Sequence, residues 1–156
     1  MMMTKIDPKD VQRLRSESGA GVMDCKRALE ETGGDYAKAL ALIKERGIQS
    51  LAKRSEREAK EGLIASYIHS GGRIGALVEL ASETDFVSRG DEFQKLAQEI
   101  AMQVAAMNPA SVEELLDQAY IRDASKKIKD LVTAVATSTK ENVHVRRIQR
   151  FALGES

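Results

Sequence analysis

Two successive glycines, Gly71-Gly72, separate two apolar runs, Leu63–Ser70 and Arg73–Ser82, and no other feature of the 156-residue chain restricts its fold as tightly. Glycine supplies the positive φ angles of a tight hairpin turn without steric cost, so the pattern predicts an antiparallel strand pair. Folding about that turn sets Leu63 opposite Leu80, Ala65 opposite Val78, Tyr67 opposite Ala76 and His69 opposite Ile74, all on one face. The other face carries Ser66, Glu79 and Gly75, so the first is expected to cover a core. A one-residue slip would turn that apolar set outward, which specifies the register. His69 falls near the hairpin tip, where a lone histidine without ligand or acid–base partners reads as a partly buried, hydrogen-bonded surface residue.

The chain then passes through Glu83-Thr84-Asp85-Phe86-Val87-Ser88-Arg89 into its most regular amphipathic stretch. Thr84 or Asp85 can accept a hydrogen bond from free helical N–H groups, and a carboxylate there faces the positive end of the helix dipole. Phe86 is a large apolar side chain in a polar turn. It either tucks into the core behind a capped helix start or stands out as an apolar wedge beside an acid. Asp91 with Gln94 reads as a capping-box pair, and Phe93, Leu96, Ala97, Ile100, Ala101, Val104 and Met107 keep helical spacing to Asn108-Pro109. Ser111 with Glu114 starts a short helix, and Ile121, Ala124, Ile128, Leu131, Val132 and Val135 are spaced as another. Val143–Leu153 reads as a last strand beside the hairpin, with a bulge where the alternation slips at Arg146-Arg147.

The residues before the hairpin read as three short helices. Asp7-Pro8 opens the first, with Val11 and Leu14 as its stripe and Gly19 as its stop. The second runs from about Gly21 to Thr32 with Val22, Cys25, Ala28 and Leu29 on one side. The third is capped by Asp35, aligns Tyr36, Ala39, Leu40 and Ile43, and is expected to stop at Gly47. Helices this short are stable only when packed together. The arrangement resembles the three-helix fold of ubiquitin-associated domains. From Ile48 to Gly62 a charged helical linker is expected, with Gly62 breaking it and Arg57 set to pair with Glu61. The expected class is α+β: a three-helix module over residues 1–47, a linker over 48–62, and a small three-stranded antiparallel sheet packed against helices over 63–156.

Charge and composition narrow the function. The 24 basic residues are balanced by 24 acidic ones, so no global electrostatic hold on nucleic acid is indicated. One cysteine forms no internal disulfide, and one Cys with two His assembles no zinc cluster. No apolar run reaches the roughly 20 residues that span a bilayer. Met1–Asp10 has neither a signal peptide's apolar core nor a transit peptide's basic amphipathic pattern. The expectation is a reduced, cytoplasmic protein.

Several separated strings then point one way. Ser18-Gly19-Ala20-Gly21-Val22-Met23-Asp24-Cys25-Lys26-Arg27-Ala28-Leu29 resembles the amino-terminal signature of elongation factor Ts, with Ser18 for its usual threonine and Val22 for a methionine. Tyr67-Ile68-His69, Thr84-Asp85-Phe86-Val87, and Glu141-Asn142 leading to Arg146-Arg147 extend the resemblance, in order, over nearly the whole chain. The resemblance implies a factor that binds elongation factor Tu and speeds release of its GDP, with no covalent chemistry and no cofactor. It implies Phe86 as a wedge, Asp85 as an electrostatic and hydrogen-bonding disruptor, Thr84 and Val87 as the rest of that site, His69 as a nearby contact, and Val22, Met23 and Lys26 as docking surface. It also implies a departure. Longer members carry two related halves and a helical insertion that residues 109–140 would hold, and this chain has one hairpin core, so a homodimer is expected.

Two rivals stand beside that reading. A ubiquitin-associated-like docking adaptor without exchange activity accounts for residues up to Gly47 but leaves Thr84–Val87 without a role. A thiol enzyme using Cys25 at a helix start has no histidine near it in sequence to act as base.

Overall fold

The computed structural model describes residues 5–155; the first four positions of the expected amino-terminal module and Ser156 lie outside it. By its internal contacts the chain divides after Arg54 into two units.

The first unit is three helices. Helix α1 (Pro8–Ser18) starts where Asp7 accepts a hydrogen bond from Lys9 N at 2.9 Å, and Gly19 closes it. Helix α2 (Val22–Glu31) and helix α3 (Tyr36–Arg54) follow, the latter with Asp35 accepting from Lys38 N at 3.1 Å. Leu14, Cys25, Ala28, Leu29, Ala39 and Ile43 form the core, ringed by half-buried Ile6, Val11, Ala20, Tyr36, Leu40 and Leu42. Two sequence expectations are corrected. Val22 is not on the buried stripe; it is 46% exposed, because at the first turn of α2 it precedes the face that meets the other helices. Gly47 does not stop α3, which runs on to Arg54. A glycine ends a helix by turning to positive φ, and Gly47 is not among the glycines that do so; keeping it helical costs only about 1 kcal/mol.

In the second unit, strands β1 (Glu61–Ile68) and β2 (Ile74–Ser82) pair with Leu63 on Leu80, Ala65 on Val78 and Tyr67 on Ala76, the expected register. The ladder opens earlier than a two-residue turn requires. His69 N still donates to Ile74 O at 2.9 Å, and Gly72 N to His69 O at 2.9 Å, with Gly71 and Gly72 at φ 91° and 70°. Gly62, expected to break a linker helix, lies inside β1 at φ 140°. A Cβ there would sit 2.1 Å from Leu80 O. Residues 55–60 are not helical, and Arg57 pairs with Glu83 at 3.5 Å rather than with Glu61.

Strand β5 (His144–Ala152) lies beside β2, completing an antiparallel sheet in the order β1-β2-β5. The expected bulge is present: Glu79 faces Arg147 and Leu80 faces Val145, leaving Arg146 as the extra residue. The bulge brings two consecutive arginines to one carboxylate, Arg146 and Arg147 meeting Glu79 at 3.2 and 2.7 Å.

Helix α4 (Asp85–Ser88) is one turn, and helix α5 (Asp91–Met107) packs on the inner face of the sheet. Phe93, Ile100 and Val104 from α5 join Val78 and Leu80 in the core. Asp91 and Gln94 do not form a capping box: the cap of α5 is Gly90, and the Gln94 amide donates to Arg89 O at 3.3 Å. Helix α6 (Val112–Asp117) begins at Ser111, which accepts from Glu114 N at 3.1 Å as expected. The helical spacing from Ile121 misled. Residues 119–127 form a two-stranded ribbon, β3 (Ala119–Tyr120) with β4 (Asp123–Lys127), and helix α7 (Ile128–Thr139) starts only after it. Gln103, fully buried on α5, holds the ribbon by donating to Ala119 O at 3.1 Å and accepting from Ile121 N at 3.0 Å. Burying a side chain such as Leu80 or Phe93 stabilises by roughly 1.5–3 kcal/mol, and an exposed ion pair by well under 1. Packing of α5 on the sheet, rather than surface charge, therefore fixes where the β2–α5 corner stands.

Candidate functional site

The corner between β2 and α5 starts from Ser82, fully buried at the strand end, whose hydroxyl donates to Thr84 O at 2.9 Å. Thr84 takes extended dihedrals and caps α4, accepting from Val87 N at 3.3 Å. The single turn closes through Arg89 N to Asp85 O at 3.0 Å and the Ser88 hydroxyl to Asp85 O at 3.1 Å, and buried Ser88 faces inward. Val87 is half-buried. Phe86 points the other way and is 85% exposed, so of the two orientations open to this residue the structure adopts the exposed one. Burial of such a ring is worth a few kcal/mol, and the corner forgoes that in the free protein. Asp85 is engaged by Arg89 at 3.2 Å, an exposed pair one helical turn apart that a partner can displace at little cost.

The other residues singled out in the sequence fall elsewhere. His69 is exposed at the closed end of the hairpin rather than partly buried as expected, whereas Thr84 leaves the open end, where Glu61 pairs with Ser82. Eight residues of strand at about 3.3 Å each separate the two ends, roughly 25 Å, so His69 and Phe86 are distinct points on the unit. Tyr67 orients His69, its hydroxyl 3.0 Å from Nδ1. In the first unit Val22 and Met23, 46% and 57% exposed, stand at the start of α2, and Val22 and Lys26 line a shallow groove with Ile6, Pro8, Val11, Gln12 and Arg15. Cys25 is completely buried, its sulfur 3.8 Å from Ala20 O, where no substrate reaches it. That removes the thiol-enzyme rival.

Sequence reasoning left two features without a role. Glu141, present there only within the Glu141-Asn142 string, follows α7 and accepts hydrogen bonds from Glu83 N, Thr84 N and the Thr84 hydroxyl at 3.1, 3.0 and 2.7 Å. No local pattern gives it these partners, which are 57 and 58 residues away. The second is the outer face of the sheet, where Ile64, Ile68, Leu77 and Phe151 are exposed. It was legible: β1 reads apolar on both faces, the pattern of a strand covered on both sides.

Among the described residues no His, Cys, Asp and Glu cluster could hold a metal ion, and no helix is long and apolar enough to cross a membrane. An aromatic side chain held in solvent on a hydrogen-bonded corner is what a protein-contact surface presents. The known proteins that resemble this chain specify it further. The family described as Elongation factor TS matches residues 83–156, beginning at this corner. Elongation factor Ts of Anaeromyxobacter dehalogenans is 40% identical, with 98% of this chain and 90% of the relative covered. Elongation factor Ts of Synechococcus elongatus is 41% identical with the same coverage, and the chloroplastic elongation factor Ts of Guillardia theta 40% identical over 99% and 91%. The chain belongs to the elongation factor Ts family, and so to the factors of protein biosynthesis. The first of these alignments spans 198 positions against 156 residues, so it crosses at least 42 positions that this chain lacks.

Proposed function

We propose that this protein binds elongation factor Tu carrying GDP and accelerates release of the nucleotide by inserting Phe86 beside the magnesium and phosphate site. The observation that carries the reading is the exposed Phe86 on a corner held by the Thr84 cap and by the Arg89 N to Asp85 O bond. A GTPase holds its nucleotide through Mg²⁺ and backbone amides around the phosphates, so a small displacement there removes much of the affinity. Asp85 leaves Arg89 and competes for those groups, while Thr84 and Val87 form the rest of the patch. His69 is a second contact at the hairpin tip, and Val22, Met23 and Lys26 are the docking surface of the first unit. Exchange is then a coupling between two ligands of one GTPase: the factor weakens GDP, and GDP weakens the factor by the same ratio. No bond is made in this protein and no cofactor enters. It acts in the cytoplasm as a homodimer, without contacting nucleic acid directly.

Support for the homodimer is the outer sheet face, where Ile64, Ile68, Leu77 and Phe151 stand exposed on a single-core chain. A monomeric mass by light scattering at micromolar concentration counts against it.

Release of a fluorescent GDP analogue from elongation factor Tu of the same source, with the protein and with its Phe86→Ala variant, tests the central reading. Strong acceleration that the variant loses supports the wedge. Acceleration indifferent to Phe86 moves the mechanism to Asp85, His69 or the first unit. Binding without acceleration makes the chain a docking adaptor.

A further inference from the structure

We infer that Glu141 is a positioning residue for the exchange site, acting through Thr84 to hold Phe86 in the orientation that works. This rests on the wedge reading above and assigns it a support.

The need for a support follows from the corner's own weakness. Helix α4 is four residues, too short to be stable by itself, and Phe86 is so exposed that its own packing does little to hold it. What orients the ring must therefore act on the backbone that bears it. Glu141 does so with both carboxylate oxygens. One accepts from Glu83 N and Thr84 N, and the other from the Thr84 hydroxyl at 2.7 Å. Donation of that hydroxyl proton to Glu141 leaves the Thr84 oxygen lone pairs for Val87 N, which is the cap of α4. The carboxylate thus sets the cap through one intervening hydroxyl, and charge-assisted bonds of this kind are the stronger ones.

The grip is reciprocal. Glu83 accepts from Asn142 N at 2.7 Å, so two adjacent residues of each segment exchange bonds. Asn142, itself buried, donates from its side-chain amide to Arg57 O at 2.7 Å, and Arg57 approaches the Glu83 carboxylate at 3.5 Å. Glu141 reaches this place because Lys140 ends α7 in the left-handed region at φ 58°, an uncommon conformation for a residue with a side chain. The end of α7 and the start of β5 are in this way built onto the corner rather than merely near it.

A support that pre-orients a wedge acts on the step in which the wedge works, more than on docking through the other surfaces. Glu141→Ala is expected to lower the maximal rate of release of a fluorescent GDP analogue by roughly tenfold, with a smaller change in the half-saturating concentration. Thr84→Val, which keeps the shape and removes the hydroxyl, is expected to share the defect, and Thr84→Ser to restore most of the rate. The decisive comparison repeats Glu141→Ala in the Phe86→Ala background. If Glu141 works only through Phe86, it changes nothing further there, whereas loss by general destabilisation multiplies in both backgrounds. Multiplication, or an unchanged rate in Glu141→Ala and Thr84→Val while Phe86→Ala is impaired, overturns the assignment and leaves the wedge standing. A Phe86→Ala protein that exchanges normally overturns both. Should Glu141→Ala fail to fold, Thr84→Val carries the same comparison.

Discussion

Gly62→Ala is the sharpest perturbation of the fold, because it sets one methyl group against a strand pairing that the whole second unit depends on. Gly62 lies inside β1 at φ 140°, a region essentially reserved for glycine, and occupying it with a side chain costs about 1–3 kcal/mol. The new Cβ would also stand 2.1 Å from Leu80 O and 2.9 Å from Ala81 Cα. Both are backbone atoms of β2, so relief requires moving the ladder, another 1–3 kcal/mol or so. Reduced freedom of the unfolded chain returns about 0.4–1 kcal/mol. The expected net loss is about 1–5 kcal/mol, which for a unit of roughly 100 residues lowers the midpoint of thermal unfolding by more than about 4 °C. The chain has three tyrosines and no tryptophan, and Tyr67 and Tyr120 belong to the second unit. Urea unfolding followed by tyrosine fluorescence in a Tyr36→Phe background therefore reports that unit, and the substitution keeps the ring stacked against Arg13 at 4.2 Å. Gly71→Ala is the control: its φ is 91° but nothing lies within 4 Å of the added carbon, so only the conformational cost of about 1–2 kcal/mol applies. A loss below about 1 kcal/mol for Gly62→Ala, or equal losses in the two variants, refutes the close-approach reasoning.

Two further outcomes follow from buried and half-buried polar groups. Gln103→Met keeps the volume and removes the bonds to Ala119 O and Ile121 N, so the second unit should lose about 2–4 kcal/mol, with amide exchange of Ile121 rising before that of β2. Equal protection of the ribbon in both proteins would show that something other than Gln103 holds it. The pKa of His144 is lowered from 6.5, first by burial and then by the Arg146 charge, with Glu79 opposing. The unfolded chain then binds the proton more readily than the folded one. Stability falls as pH drops through about 6.5 toward the lower folded value and is recovered as pH rises above it. In His144→Gln the drop in thermal midpoint between pH 7.5 and 5.5 should be smaller than in the parent; an unchanged drop rejects the assignment.

Much of this protein was written in short-range pattern. The hairpin register, the Asp7 and Ser111 caps and the bulge at Arg146 depend on alternation, glycine and side chains reaching one turn along the chain, and such terms act wherever the segment ends up. The strings that placed the chain in its family are likewise local. What needed the tertiary structure were outcomes in which distant partners outweigh local preference. Gly47 stays within α3, its backbone not turned to positive φ. Residues 119–127 have helical spacing but form a ribbon, because buried Gln103 and, on the same helix, Glu99, to which the Tyr120 hydroxyl donates at 2.5 Å, take up its polar groups; burial and that carboxylate push the Tyr120 pKa up to about 12. Phe86 was open to two readings in sequence, since a large apolar residue is as legible buried as exposed. Its exposure follows from an inward Ser88, a cap at Thr84, and a glutamate 57 residues further on that fixes Thr84 in place. Sequence singled out Phe86 without deciding which way it faces, and only the folded chain supplied the bonds from Glu141 to the corner that bears it, because a hydrogen bond between remote segments leaves no periodic trace in either.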